Sequence, residues 1–144
     1  MANLIEKIKE QLYKDEGKVN HAYKDSLGYL TIGVGRLIDK DKGGRLSDSE
    51  IDILLDNDVR EKYNDLVKAI PWVTTLSEPR LAVLVNMSFQ LGVAGLLKFR
   101  NTLTLIQQGR YEEASKRMLS SLWARQTPNR AKKYSKQLLT NEWQ

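Results

Sequence analysis

The chain has 144 residues, enough for one globular domain or two small lobes sharing a core. It holds no cysteine and a single histidine, His21, which excludes disulfides and thiolate metal sites and argues against a histidine-based metal centre or a Ser–His pair. A formal charge of +5 at pH 7 favours polyanionic partners such as nucleic acid, anionic lipid or bacterial cell wall, without choosing among them. Chemistry must therefore run on carboxylates, hydroxyls, amides and cations. Composition shows no uninterrupted apolar run of the ~20 residues a membrane span needs. Residues Met1–Lys14 mix Glu6, Lys7, Lys9 and Glu10 among their apolar positions, unlike the core of a signal peptide, so synthesis and accumulation in a cytoplasm are expected.

In chain order, Leu4, Ile5, Ile8 and Leu12 predict an amphipathic helix over Met1–Asp15, with Gly17 as its stop. From His21 to Gly35 the chain is β-branched and aromatic around an Asp25-Ser26-Leu27-Gly28 turn signal, which predicts an antiparallel hairpin or three-stranded sheet running to about Ile38. Leu30, Ile32 and Val34 alternate on one face, leaving Tyr29 and Thr31 on the other. After a polar loop, Ser47-Asp48-Ser49-Glu50 has the form of a capping box and opens a long helix that Pro71 ends. Ser77-Glu78-Pro79 suits the start of a buried helix over Leu81–Leu91, broken at Gly92 and Gly95. Asn101 or Thr102 is expected to cap a short helix stopping at Gly109, Tyr111 to Trp123 forms another, and Thr127-Pro128 opens a last one through Leu139.

The expected fold is α+β and mostly helical, in one domain. A small lobe with a short antiparallel sheet (about 13–46) is joined by a long helix (47–70) to an all-helical lobe (71–144), on which helix 1–12 packs. Lobes joined in this way leave a cleft where ligands bind.

With so little histidine and no cysteine, a pair of carboxylates is the most economical catalytic machinery, and glycoside hydrolysis is its typical use. Glu16 stands out by location, at a helix end beside the strand lobe. The carbonyls of a helix C-terminus disfavour a neighbouring carboxylate charge, which suits a general acid. Asp25 has a strong structural alternative, because Asp at the first position of a turn commonly accepts backbone N–H bonds.

The residues Glu16-Gly17, Ala22-Tyr23-Lys24-Asp25 and Gly28-Tyr29-Leu30-Thr31-Ile32-Gly33-Val34-Gly35 closely resemble the phage lysozymes of glycoside hydrolase family 24, which share the spacing of Glu, Asp nine residues on and Thr six further. Asn86-Met87-Ser88-Phe89-Gln90-Leu91-Gly92 is similar to that family's central buried helix, and the segment from Trp123 to Lys132 to its late cleft-facing segment.

The resemblance implies a lysozyme (EC 3.2.1.17), a muramidase in which Glu16 protonates the leaving glycosidic oxygen. Asp25 and Thr31 hold the attacking water, with inversion expected and direct attack by Asp25 as the alternative. It also implies that Arg130 pairs with the acid, that Leu37, Phe89, Gln90 and Thr102 line the saccharide cleft, and that Gln126 faces it. On pattern alone Phe89 reads as core and Gln90 as an amide in need of a partner.

The family often has His where this chain has Arg36, which we expect to pair with Asp58. The short Asp39–Arg45 loop implies a reduced small lobe. No metal or cofactor is implied. The expected role is that of an endolysin: a monomer accumulating in the host cytoplasm and reaching peptidoglycan through a membrane lesion made by another protein. A non-catalytic wall-binding relative, a nucleic-acid-binding helical protein and a lytic transglycosylase are the competing classes. Retention of Glu16, Asp25 and Thr31 argues against the first and last, and scattered cations without interleaved aromatics against the second.

Overall fold

The first helix, α1 (Ala2–Glu16), follows its apolar stripe: Leu4, Ile5, Ile8 and Leu12 are all buried. It ends as its sequence predicts. Gly17 turns to φ +74° and returns its N–H to the Tyr13 carbonyl at 3.1 Å, which satisfies an orphan carbonyl of the last turn. The computed structural model describes residues 2–28, 30–37 and 46–144. The chain divides into two compact units, residues 1–60 and 61–144.

In the first unit, β1 (Val19–Lys24), β2 (Leu30–Gly33) and β3 (Arg36–Leu37) form an antiparallel sheet in the order β1-β2-β3. The Asp25–Gly28 turn joins the first two, with Gly28 N–H bonded to the Asp25 carbonyl at 3.0 Å. The register places Tyr23 opposite Thr31 and Thr31 opposite Leu37. The strand read through Val34 stops one residue earlier. Gly33 and Gly35 both take left-handed φ, +71° and +72°, so Val34 sits in a tight turn with its side chain buried. Tyr29, Ile38 and the Asp39–Arg45 loop lie outside the described residues.

Helix α2 (Asp48–Ala69) opens on the predicted capping box. Ser47 Oγ accepts from Glu50 N–H at 3.2 Å, while Glu50 Oε1 accepts from Ser47 N–H at 3.3 Å. Ile51, Leu55 and Val59 are buried, and Ile51, Leu54 and Leu55 line a cavity of about 10 Å³ together with Ile32, Gly33, Val34, Leu46 and Asp58. The β2–β3 turn thereby packs on α2. The pair expected between Arg36 and Asp58 lies outside the described residues, because the Arg36 side chain does.

An ion-pair cluster ties α1 to α2. Lys9, almost fully buried, reaches Asp52 at 2.7 Å and Glu6 at 3.6 Å, and Tyr13 donates to Asp52 at 3.1 Å. Hydrogen bonding to Lys9 holds the Asp52 carboxyl below its ordinary range. Burial pulls the Lys9 amine down, but the hydrogen bond and charge of Asp52 outweigh it and the net shift is upward. The depressed Asp52 contributes stability above its unfolded pKa that fades as pH falls through the folded value. The raised Lys9 contributes stability that is lost only at strongly alkaline pH. Asp52→Asn should therefore cost about 1 kcal/mol at pH 7, a small value because Asp52 itself is half exposed and screened. The gap to wild type should close as pH falls below the usual carboxylate range, which paired thermal melts at pH 7 and pH 3 would read.

In the second unit a 3-10 turn, Pro71–Thr75, follows Pro71, and α3 (Glu78–Leu97) starts with Pro79 in its first turn. All eight residues from Leu81 to Ser88 are buried, which marks it as a core helix. By length and mean hydropathy, 1.5 over its apolar window, α3 is long and apolar enough to cross a membrane, although Asn86 and Gln90 interrupt its apolar run. Half of that window is buried inside the protein, as befits a core helix. Gly92 breaks it as predicted, at φ +77° and ψ 157°, but Gly95 does not, because helical turns resume and carry Gly95 to Leu97.

The remaining helices are α4 (Arg100–Gln107), α5 (Tyr111–Leu119), α6 (Leu122–Gln126) and α7 (Pro128–Thr140). Three expectations about their ends are corrected. Phe99, not Asn101 or Thr102, stands at the N-cap of α4. The helix read from Tyr111 to Trp123 is two, because Ser121 interrupts it and caps α6 by accepting from Ala124 N–H at 3.2 Å. Thr127 precedes Pro128 but its hydroxyl donates back to the Trp123 carbonyl at 3.0 Å instead of capping α7. Ser77 stands at the N-cap of α3, the start its sequence suggested, with its hydroxyl bonded to Asn141 Oδ1. Around it, Arg80 donates to the Leu138 carbonyl at 2.8 Å and lies 3.6 Å over the Tyr111 ring, and Gln137 donates to the Pro79 carbonyl at 2.7 Å. These bonds fasten the start of α3 to the end of α7.

Candidate active site

Glu16 is the last residue of α1, and its half-buried carboxyl lies against the backbone of Gly35 in the β2–β3 turn. The approach is close enough that a Cβ on Gly35 would fall 2.6 Å from both Glu16 Cδ and Oε2. Glycine is required there twice over, for the φ of +72° and for the space.

Asp25 performs the structural role expected of it, its Oδ1 accepting from Leu27 N–H at 2.9 Å as the first residue of the turn. A carboxylate has a second oxygen and further lone pairs, so this bond leaves capacity for other chemistry. Thr31 lies in the middle strand with its side chain buried, between Tyr23 and Leu37. Tyr23 is the residue that sequence reasoning passed over. Burial raises its phenol above the ordinary value, the Glu16 charge adds to this, a backbone hydrogen bond from Gly35 opposes it, and the Asp25 charge adds further. Glu16 and Asp25 thus both bear on one phenol. The signal available beforehand was the hairpin register, which sets Tyr23 beside Thr31.

The predicted cleft residues fare unequally. Gln90 has the partner its apolar surroundings demand: its Oε1 accepts from Trp123 Nε1 at 2.8 Å. Trp123 is buried, edge-on to Phe99 and stacked on Tyr134, so Gln90 is fastened to the aromatic core of its unit. Phe89 is half exposed and does not join the core that its helix pattern suggested. Thr102 is buried on α4 and lines an open cavity of about 410 Å³ with Phe99, Asn101, Ser120, Ser121 and three cations, Lys98, Arg100 and Arg117. Those cations were not singled out from sequence, since each reads as an ordinary solvated charge. Gln126 is exposed at the end of α6. Arg130 is half-buried on α7, its guanidinium 5.8 Å from the Tyr134 ring centre. The Leu37 side chain lies outside the described residues.

An acid at a helix end, a second carboxylate on the adjoining β-turn and a threonine on the next strand are the equipment of a carboxylate-based glycoside hydrolase. Comparison with known proteins agrees and is more specific. Residues 13–139 match the phage lysozyme family. The chain is 32% identical to a probable T4-type lysozyme 1 of Dictyostelium discoideum over 89% of its own length and 91% of that protein's. A second such protein from the same organism, probable T4-type lysozyme 2, is 29% identical over the same shares. The pre-baseplate central spike protein Gp5 of Enterobacteria phage T4 is 31% identical over 91% of this chain, which corresponds to 27% of that longer protein. The chain belongs to the phage lysozyme family, the peptidoglycan-cleaving lysozymes of glycoside hydrolase family 24.

Proposed function

We propose that this chain hydrolyses the β-1,4 bond between N-acetylmuramic acid and N-acetylglucosamine, with Glu16 as the general acid. The observation that carries the assignment is the seating of the Glu16 carboxyl on the Gly35 backbone, beside the hairpin that bears Asp25 and Thr31. A general acid must be held still at the scissile oxygen, and a helix end braced by a tight turn does that.

Glu16 gives its proton to the departing sugar oxygen as the glycosidic bond breaks. A water, oriented by Asp25 and the Thr31 hydroxyl, attacks the anomeric carbon from the opposite face and passes a proton to Asp25. The product is inverted. Leu37, Phe89, Gln90, Thr102 and Gln126 are the proposed saccharide contacts, and Arg130 the proposed supporting cation. The net positive charge concentrates the enzyme on an anionic wall, an effect that salt weakens. In the cell the reading is that of an endolysin acting as a monomer, held in the host cytoplasm until a separate protein permeabilises the membrane.

The test is digestion of purified peptidoglycan by wild type and Glu16→Gln, followed by mass analysis of the fragments. Reducing muramic acid ends, formed by wild type and not by the variant, are expected. Anhydromuramic ends would move the assignment to a lytic transglycosylase, and retained configuration at the new anomeric centre would make Asp25 a nucleophile.

A further inference from the structure

Helix α4 begins without a side-chain cap. Phe99 stands at its N-cap and makes no side-chain bond to the first turn. Leu103 N–H is the first in the helix to find an acceptor, the Phe99 carbonyl at 2.9 Å. Among the described residues the N–H groups of Arg100, Asn101 and Thr102 have none. The residues from Phe99 to Thr102 form one wall of the open cavity of about 410 Å³. Orphan donors and the positive end of the helix dipole therefore lie at its edge.

The side chains point the same way. Lys98, Arg100 and Arg117 line the cavity, and no acid does. Among the described residues none of the three cations has a carboxylate within ion-pair distance. The acids of α5 are engaged elsewhere, Glu113 with Arg110 at 2.6 Å and Glu112 with Lys116 at 3.5 Å. Ser120 and Ser121 donate their hydroxyl protons to the carbonyls of Arg117 and Met118, at 2.9 and 2.7 Å. Thr102 differs from both. It is 6% exposed, and among the described residues its hydroxyl has no hydrogen-bond partner. A hydroxyl so placed calls for a partner in the cavity it lines.

We propose that this cavity binds a phosphate group, held by the free N–H groups at the start of α4, the Thr102 hydroxyl and the cations Lys98, Arg100 and Arg117. Helix N-termini suit such anions, and guanidinium groups pair with their oxygens two at a time. A neutral sugar has no use for three unpaired cations, so the charge extends the saccharide reading of Thr102. A single carboxylate would leave most of that charge unmatched. A phosphate monoester carries about −1.5 to −2 at pH 7 and three strong acceptor oxygens. Because the cavity is open, it admits either free phosphate or the phosphate headgroup of a lipid. The inference is independent of the role of Glu16.

The test is titration of the full chain with inorganic phosphate at constant ionic strength, followed by amide NMR, with acetate as the carboxylate control. Saturable shifts of the Arg100, Asn101 and Thr102 amides are expected with phosphate and not with acetate. Arg117→Gln, an exposed substitution, should weaken binding roughly tenfold, the cost of one hydrogen bond between charged groups. Arg125→Gln removes an equally exposed cation from outside the cavity and should change nothing. Sedimentation with phosphatidylcholine vesicles, with and without phosphatidic acid, distinguishes the sources. Binding only to the phosphatidic acid vesicles, lost in Arg117→Gln and kept in Arg125→Gln, assigns a headgroup; amide shifts with inorganic phosphate assign a soluble ligand. The proposal is overturned by binding of neither, by acetate acting as strongly as phosphate, or by equal weakening in the two variants, which would mean attraction to net charge alone.

Discussion

Glu16→Gln is expected to lower the rate of peptidoglycan hydrolysis by about a thousandfold while leaving the thermal midpoint close to that of wild type. Glutamine keeps the shape and the contact with Gly35 but has no proton to give at the pH of the reaction. Because Glu16 is the last residue of α1 and half-buried, little packing depends on its charge. Asp25→Asn is the informative companion. An asparagine oxygen can still accept from Leu27 N–H, so the turn survives and only the charge is lost. A folded Asp25→Asn protein with wild-type turnover would confine Asp25 to its turn; a folded one with turnover reduced at least a hundredfold supports a chemical role.

The second large effect should come from a residue with no functional group. Gly35→Ala places a methyl 2.6 Å from Glu16 Cδ and Oε2 and 2.9 Å from Cγ, and imposes a left-handed φ of +72° on an alanine. The backbone strain costs about 1 kcal/mol. The overlap is with the end of a flexible side chain, so the carboxyl gives way before the backbone does. The acid is then displaced by an ångström or more, and such misplacement lowers turnover by about a hundredfold. Gly33→Ala supplies the control. Its φ is nearly the same at +71°, but among the described residues its added methyl would meet only Ile51, at an ordinary 3.7 Å. Both variants should lose similar stability in a thermal melt, and only Gly35→Ala should lose most of its activity. Equal activities in the two would mean that the Gly35 seat does not hold the acid.

Much of this protein was legible residue by residue wherever neighbours in sequence satisfy one another. The α1 stripe and its Gly17 stop, the reciprocal Ser47–Glu50 cap, the Asp25 turn and the break at Gly92 each close a backbone bond or a φ requirement within a few residues, so the information is local. The candidate acid was visible for the same reason, as a carboxyl at a helix end, and the spacing from Glu16 to Asp25 to Thr31 carried the family. Tertiary structure decided what lay beyond that reach. Ser77 and Thr127 stand where caps do, yet their hydroxyls go to Asn141 and to the Trp123 carbonyl, because the fold brings those acceptors within bonding distance. Gln90 could be read as a polar amide wanting a partner, but only packing names Trp123, thirty-three residues away.

Gly35 shows the division most clearly. The β2–β3 turn asks for a positive φ there, and any residue tolerant of it would serve that. That the Glu16 carboxyl occupies the space where its side chain would be, nineteen positions later in the chain, is a fact of three dimensions. Steric exclusion between distant segments leaves no periodicity to read.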